Sequence, residues 1–189
     1  MNSRLTPLLL IALPTLFAAC SNPEKTAQYP LTPSAVVQDL PNRLGRTELR
    51  EVSLPQYAAG QEVVFQTADG ALRSTPDNIW ADAPTRAVTQ LLASQISGRS
   101  GATVIAEPWP LAEGPDRRLE VRVSEILPGA DGQLRLAGQY FVAPTDYTGR
   151  DIVRGFDIRV PLAGEGPAAI AAAQTEAVSQ LAARIARLD

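Results

Sequence analysis

Between Leu119 and Val160 the chain alternates apolar and polar residues in three successive runs, and a period of two leaves each run greasy on one face and wet on the other. The first run carries Leu119, Val121 and Val123, the second Leu134, Leu136, Tyr140 and Val142, the third Ile152, Phe156, Ile158 and Val160. Asp131-Gly132 separates the first two, and an Asp-Gly pair between apolar runs signals a hairpin because glycine tolerates positive φ. The stretch TDYTGRD turns the chain into the third. Three such strands make an antiparallel meander with one apolar face, which has to be covered. From Pro167 onwards Ile170, Ala173, Ala177, Val178, Leu181, Ile185 and Leu188 fall on one helical stripe and supply a cover.

A second helix is read upstream, where Ala87, Val88, Leu91, Leu92 and Ile96 recur at spacings of three and four. Asp82 is expected to cap it, with Pro84 in its first turn and its end near Gly98. The remaining segments read as a strand over 46–54, a hairpin about Asp69-Gly70, a strand over 102–107 and an edge strand within 28–35, with 36–45 as a connection. The expected fold is therefore α+β, a two-layer domain in which two amphipathic helices cover one face of a mainly antiparallel sheet. Residues 28–189 form that single domain.

The first 27 residues follow other rules. A positive start ending at Arg4, an apolar run from Leu5 to Phe17 and the small pair Ala18-Ala19 describe a signal peptide over 1–19, too short in its apolar part to span a bilayer as a permanent helix. Cys20 follows at once and is the only cysteine in 189 residues. Phe17-Ala18-Ala19-Cys20 resembles the lipobox of bacterial lipoproteins, in which this cysteine becomes the first mature residue and carries the lipid. Residues 20–27 then read as the lipidated cysteine and its tether, reaching at most about 25 Å when extended. By the same resemblance, Ser21 after the cysteine points to the outer membrane, with the domain facing the periplasm.

Most catalytic readings lack parts. The chain has no histidine, which removes the common zinc sites and the Ser-His and Cys-His nucleophiles, and it has neither a P-loop nor a nucleophile elbow. Three pairs of carboxylates, Asp77 with Asp82, Glu113 with Asp116 and Asp146 with Asp151, lie close in sequence, but all fall in turns, where aspartate is a standard turn former. No enzyme activity, cofactor or metal is expected, and a net charge of −3 gives no reason to expect nucleic acid. Three aromatic residues stand out as possible interface groups: Trp109, held between two prolines; Trp80, either an anchor or a packing residue at the helix entry; and Tyr57.

With these elements placed, the chain resembles the ABC-type transport auxiliary lipoproteins, the PqiC-like family. The residues that carry the resemblance are the lipobox at Cys20, the stretch QYPL at 28–31, and Val52, Leu54, Pro55, Tyr57, Trp80, Pro84 and Leu91 within 52–96. Where the family strand often continues Leu-Asp-Arg-Pro after the tyrosine, this chain has Ala58-Ala59-Gly60-Gln61. The resemblance implies a non-enzymatic outer-membrane lipoprotein that works with an MCE-domain protein and an inner-membrane ABC transporter in moving lipid between membranes. It also implies a homo-oligomeric ring that docks on the MCE partner. The alternative is a periplasmic shuttle that encloses lipid in an apolar cavity. Replacing Cys20→Ala is expected to move the protein from the membrane pellet to the soluble periplasmic fraction, because the anchor is lost; a variant that still pellets would remove the lipid-anchor reading.

Overall fold

The computed structural model describes residues 25–33, 35–146 and 148–188, so the segment 1–19 read as a signal peptide and Cys20 lie outside the described residues. In chain order the elements are β1 (Ala27–Tyr29), β2 (Arg46–Leu49), α1 (Gln56–Ala59), β3 (Phe65–Gln66), β4 (Leu72–Arg73), β5 (Asn78–Trp80) and α2 (Pro84–Ser100). After these come β6 (Thr103–Ala106), β7 (Arg117–Pro128), β8 (Gln133–Pro144), β9 (Ile152–Pro161) and α3 (Pro167–Arg187). The fold is α+β, and its main sheet has five strands in the order β6-β2-β7-β8-β9.

The meander is β7, β8 and β9, with Leu119 opposite Val142, Val121 opposite Tyr140 and Leu136 opposite Ile158. All six side chains are buried, so the alternating pattern places one apolar face as expected. Gly132, at φ +75°, makes the turn between β7 and β8. A bulge interrupts β7 between Val123 and Glu125, the extra residue being Ser124. It shifts the phase by one, which is why Ile126 and not Glu125 is buried after Val123. Gly138 faces Val123 across this bulge, and a methyl group there would run into the Arg122 carbonyl, the Val123 Cα and the Phe156 ring.

The other half of the sheet is parallel. Thr47 pairs with Val104 of β6 on one side and with Arg117 of β7 on the other. Parallel neighbours need a crossover. From β2 to β6 the chain crosses through α2; from β6 to β7 it crosses through the proline-rich loop 107–116. That loop passes over the face opposite the helices, because it touches the outward side chains Arg46 and Glu48. The strand read over 46–54 is shorter, ending at Leu49 and meeting β7 again only through a bridge from Ser53 to Arg122. The cause is Val52, whose N–H leaves the ladder to donate to Thr89 Oγ1 of α2 at 2.9 Å.

α2 begins as the Pro84 signal implies but differs from expectation at both ends. Its N-cap is Ala83, without a side-chain cap; Asp82 instead accepts the Ala83 N–H at 2.7 Å and forms an ion pair with Arg86. The helix runs through Gly98 and stops at Gly101, whose φ of +67° and bond to the Ser97 carbonyl form a left-handed cap. Gly98 is internal because Val36 packs against it where a Cβ would stand. α3 buries the predicted stripe, Leu188 being half-buried, and also Gln174, Thr175, Ser179, Ala182 and Ala186, because it meets α2 as well as the sheet. A polar seam joins the two helices: Arg99 Nη2 donates to Ser179 Oγ at 2.8 Å, and Ser179 Oγ donates to Gln95 Oε1 at 3.1 Å.

Side chains take up some of the outward backbone groups at both edges of the main sheet. On β6, Ser97 Oγ accepts the Val104 N–H at 3.1 Å and donates to the Val104 carbonyl at 3.2 Å. On β9, Arg154 and Arg184 donate to the carbonyls of Val153 and Asp157. Unpaired strand groups are templates for another strand, so these contacts limit the edge as a docking site. At the bulge, Gly138→Ala is expected to destabilise the fold by about 1 to 3 kcal/mol, the usual cost of overpacking a filled site. A urea midpoint unchanged from the parent protein would contradict the packing described there.

Candidate functional site

The described chain enters the fold at Lys25, two residues before β1. β1 lies parallel to β5, with Ala27 N–H donating to the Asp77 carbonyl at 2.7 Å and Ala81 N–H to the Tyr29 carbonyl at 3.0 Å. The Tyr29 hydroxyl donates to Asn78 Oδ1 at 3.2 Å. Tyr29 and Leu31 are half-buried against the core, while Pro30 and Pro33 remove two donors and keep the chain extended. Residues 29–33 thus form a strap across the N-terminal halves of α2 and α3. A cleft lies on each side of it: one of about 440 Å³ toward α2, lined by Leu31, Trp80, Ala87 and Leu91, and one of about 390 Å³ toward α3, lined by Ala168, Ala171, Ala172 and Thr175. Tyr29 and Pro30 belong to both.

The aromatic candidates occupy three different places. Trp80 is only 7% exposed and belongs to the core, so its ring packs and does not form a surface anchor. Tyr57, in α1, accepts the Ile126 N–H at 3.2 Å just past the bulge, and burial raises the pKa of its phenol. Trp109 is half-buried on the loop 107–116, its backbone N–H donating to Glu48 Oε1 at 3.1 Å and its indole N–H to the Glu113 carbonyl at 2.7 Å. Leu111, beyond it, is exposed. Cys20 lies outside the described residues. The sequence marks Tyr29 and Leu31 only by their spacing within QYPL; that Tyr29 and Pro30 stand between two helices has no local signature.

The carboxylates are tied to arginines or turns. Arg46 donates through Nη2 to Asp116 Oδ1 at 2.7 Å and through its backbone N–H to Asp116 Oδ2 at 3.1 Å, and it also pairs with Glu113. The Arg46 side-chain and backbone hydrogen bonds hold the Asp116 carboxyl below its ordinary range. Asp82 is lowered chiefly by hydrogen bonding to Arg86, and Asp146 chiefly by hydrogen bonding to Thr148. A general acid at neutral pH needs the opposite shift. Among the described residues no cluster of three or more metal-ligating side chains occurs. The site is thus an apolar strap and groove on one side of the fold and a stiffened, proline-bound loop on the other.

The family model for the ABC-type transport auxiliary lipoprotein component matches residues 29–186, from the strap to the last turn of α3. The chain belongs to that family. This auxiliary lipoprotein is 29% identical over 108 residues to the intermembrane transport lipoprotein PqiC of Escherichia coli (strain K12), and equally to that of Shigella flexneri. The match takes in 57% of this chain and 55% of each relative, so the chain spans about half the length of the curated relatives it matches. A crystal structure of an uncharacterized protein superposes with a TM-score of 0.65 at 25% identity, covering 82% of this chain and 97% of that one. Protein XCC0632 from Xanthomonas campestris has the same fold, with a TM-score of 0.67 at 16% identity over 85% of this chain and 93% of its own. Auxiliary lipoproteins of this family belong to transport systems and are not an enzyme family, and lipoprotein relatives imply association with a membrane. Among the described residues no helix is long and apolar enough to cross a membrane.

The Arg46 clamp has a pH dependence. Because the Asp116 carboxyl is depressed in the fold, its bonds to Arg46 are intact at neutral pH and are lost as pH falls below the ordinary aspartate value of about 3.9. Releasing the Asp116 carboxyl removes one of the clamps on the loop that carries Trp109, while Trp80 stays in the core. Acidification from neutral pH, or Asp116→Asn at neutral pH, is expected to raise acrylamide quenching of the accessible tryptophan without unfolding the domain. Quenching that stays constant until global unfolding would show that the clamp does not position the loop.

Proposed function

We propose that this protein is an outer-membrane-anchored lipoprotein subunit of an MCE/ABC-type intermembrane lipid transport system, in which it acts as a docking and ring-forming component. The observation that carries this reading is the family match from residue 29 to residue 186. The relatives in Escherichia coli and Shigella flexneri, named as intermembrane transport lipoproteins, support it. In this role Cys20 holds the lipid, a tether of at most about 25 Å keeps the domain near its membrane, and the folded body meets an MCE-domain protein. Trp109 and Leu111, on a loop fixed by Glu48, Arg46 and Asp116, are the side chains offered to that partner, since rigid aromatic and apolar groups make effective anchors.

The packing favours docking over a lipid shuttle. The space between the sheet and the helices is filled by Leu49, Leu119, Leu134, Leu136, Tyr140 and Ile185, each without solvent exposure. A shuttle would need that volume for acyl chains. Crosslinking of the native lipoprotein in outer membranes followed by affinity capture is expected to recover an MCE-domain protein with the parent chain, and far less with Cys20→Ala. Capture of no MCE-domain protein by a folded, outer-membrane-located parent would overturn the docking role.

A further inference from the structure

The two clefts beside the strap are one groove divided in two. Their walls are the N-terminal halves of α2 and α3, and their only shared residues are Tyr29 and Pro30 of the strap itself. Residues 29–33 are therefore a bound peptide that happens to belong to the same chain. They are held by the short pairing of Ala27–Tyr29 with Asn78–Trp80, by the Tyr29 hydroxyl on Asn78, and by the contacts of Tyr29 and Leu31 with the core. Proline at 30 and 33 limits further backbone bonding. Behind the strap, residues 35–45 contain no helix or strand. Over 35–43 their ties to the body are the Asp39 and Leu40 N–H groups on the Arg99 carbonyl, the Leu40 side chain against the core, the Asn42 side chain on the Gly101 carbonyl, and the side chains of Val36 and Gln38 against Gly98 and Gly101; Leu44 is fully buried in the core and the Gly45 carbonyl accepts the Thr103 N–H, so the chain is fixed from Leu44 onwards.

We propose that the groove between α2 and α3 is an interface between copies of this chain, and that its occupant in the assembly is the strap of the neighbouring copy. This rests on the ring-forming reading. Three features on the molecule favour this occupant. First, the sequence that fits the groove is already known, since YPLTP sits in it, and an exchanged strap keeps every contact of the original, which makes exchange a low-cost route to association. Second, with Leu44 fixed in the core, the connection 35–43 can span at most roughly 32 Å at about 3.3 to 3.6 Å per residue, enough to carry a strap to an adjoining body. Third, the usual alternative is partly obstructed: Ser97 closes β6 at Val104, and Arg154 and Arg184 cover the outward carbonyls of Val153 and Asp157 on β9. Passing each strap to the next copy is a head-to-tail contact, which closes into a ring when the rotation between copies allows. A common membrane anchor raises the local concentration that favours it.

The test uses the full-length lipoprotein in detergent. Thr32→Cys and Ala172→Cys place one thiol on the strap and one on the α3 wall of the same cleft, both at exposed positions that leave the core untouched. Differently tagged copies of the two single variants are co-expressed and treated with a short bis-maleimide. Exchange predicts a crosslinked product carrying both tags at twice the mass of one chain, absent when either variant is expressed alone. The double variant Thr32→Cys/Ala172→Cys, treated in the same way, reports a strap that stays at home as a link within one chain. If only that internal link forms while sedimentation shows a ring, strap exchange is overturned and the ring stands. If only the internal link forms and the chain sediments as a monomer, both are overturned.

Discussion

The apolar face of the β7-β8-β9 meander is the constraint from which the rest of the fold follows. Burying it removes Leu119, Val121, Leu134, Leu136, Tyr140, Val142, Phe156, Ile158 and Val160 from water, and apolar burial contributes roughly 25 cal/mol for each Å². α3 lies over β8 and β9, and α2 lies beside it over β6 on the parallel side of the sheet. α2 can reach that place only as a crossover between two strands of the same sheet, which makes β2 and β6 parallel to one another and leaves the return to β7 to cross on the opposite face. The polar seam of Arg99, Ser179 and Gln95 sits where the two covering helices touch, and its hydrogen bonds fix which faces of them meet.

The meander and the C-terminal helix were readable because their evidence is local: period-two runs, the Asp131-Gly132 turn and the stripe from Ile170 to Ile185. Strand direction was not readable in the same way. Alternation at Thr47 and Leu49 is the same whether the neighbour runs parallel or antiparallel, so the two parallel pairings of β2 emerge only from the three-dimensional path. Other differences arise where a tertiary partner competes with a local preference. Thr89 draws the Val52 N–H out of the ladder, Arg86 draws the Asp82 carboxylate away from a capping role, and Val36 occupies the space that makes Gly98 a close-packing glycine instead of a helix stop. The bulge at Ser124 was present in the sequence as the step from Val123 to Ile126, which breaks the alternation by one residue.

The candidate site divides along the same line. Trp109 could be picked out from its two flanking prolines, but the grip of Glu48 on its N–H depends on a residue distant in sequence, and Glu113, whose carbonyl holds its indole, is itself paired with the distant Arg46. Trp80 owes its burial to the strap and to β5, neither of which announces itself by periodicity. The strap is the clearest case: three residues of strand, two prolines and a tyrosine carry almost no statistical signal, yet they decide where the chain from Lys25 enters the body.

In the proposed lipid-anchored role, the side-chain contacts at the sheet edges have a consequence. Lipid-anchored proteins diffuse in a plane at close quarters, and each encounter between two unpaired strands is a chance for sheets to join and keep joining. One serine hydroxyl that both accepts and donates at Val104, and two guanidinium groups on β9 carbonyls, take up groups that such growth would use. In that role, crowding would concentrate these domains with fewer open strand groups to seed fibres.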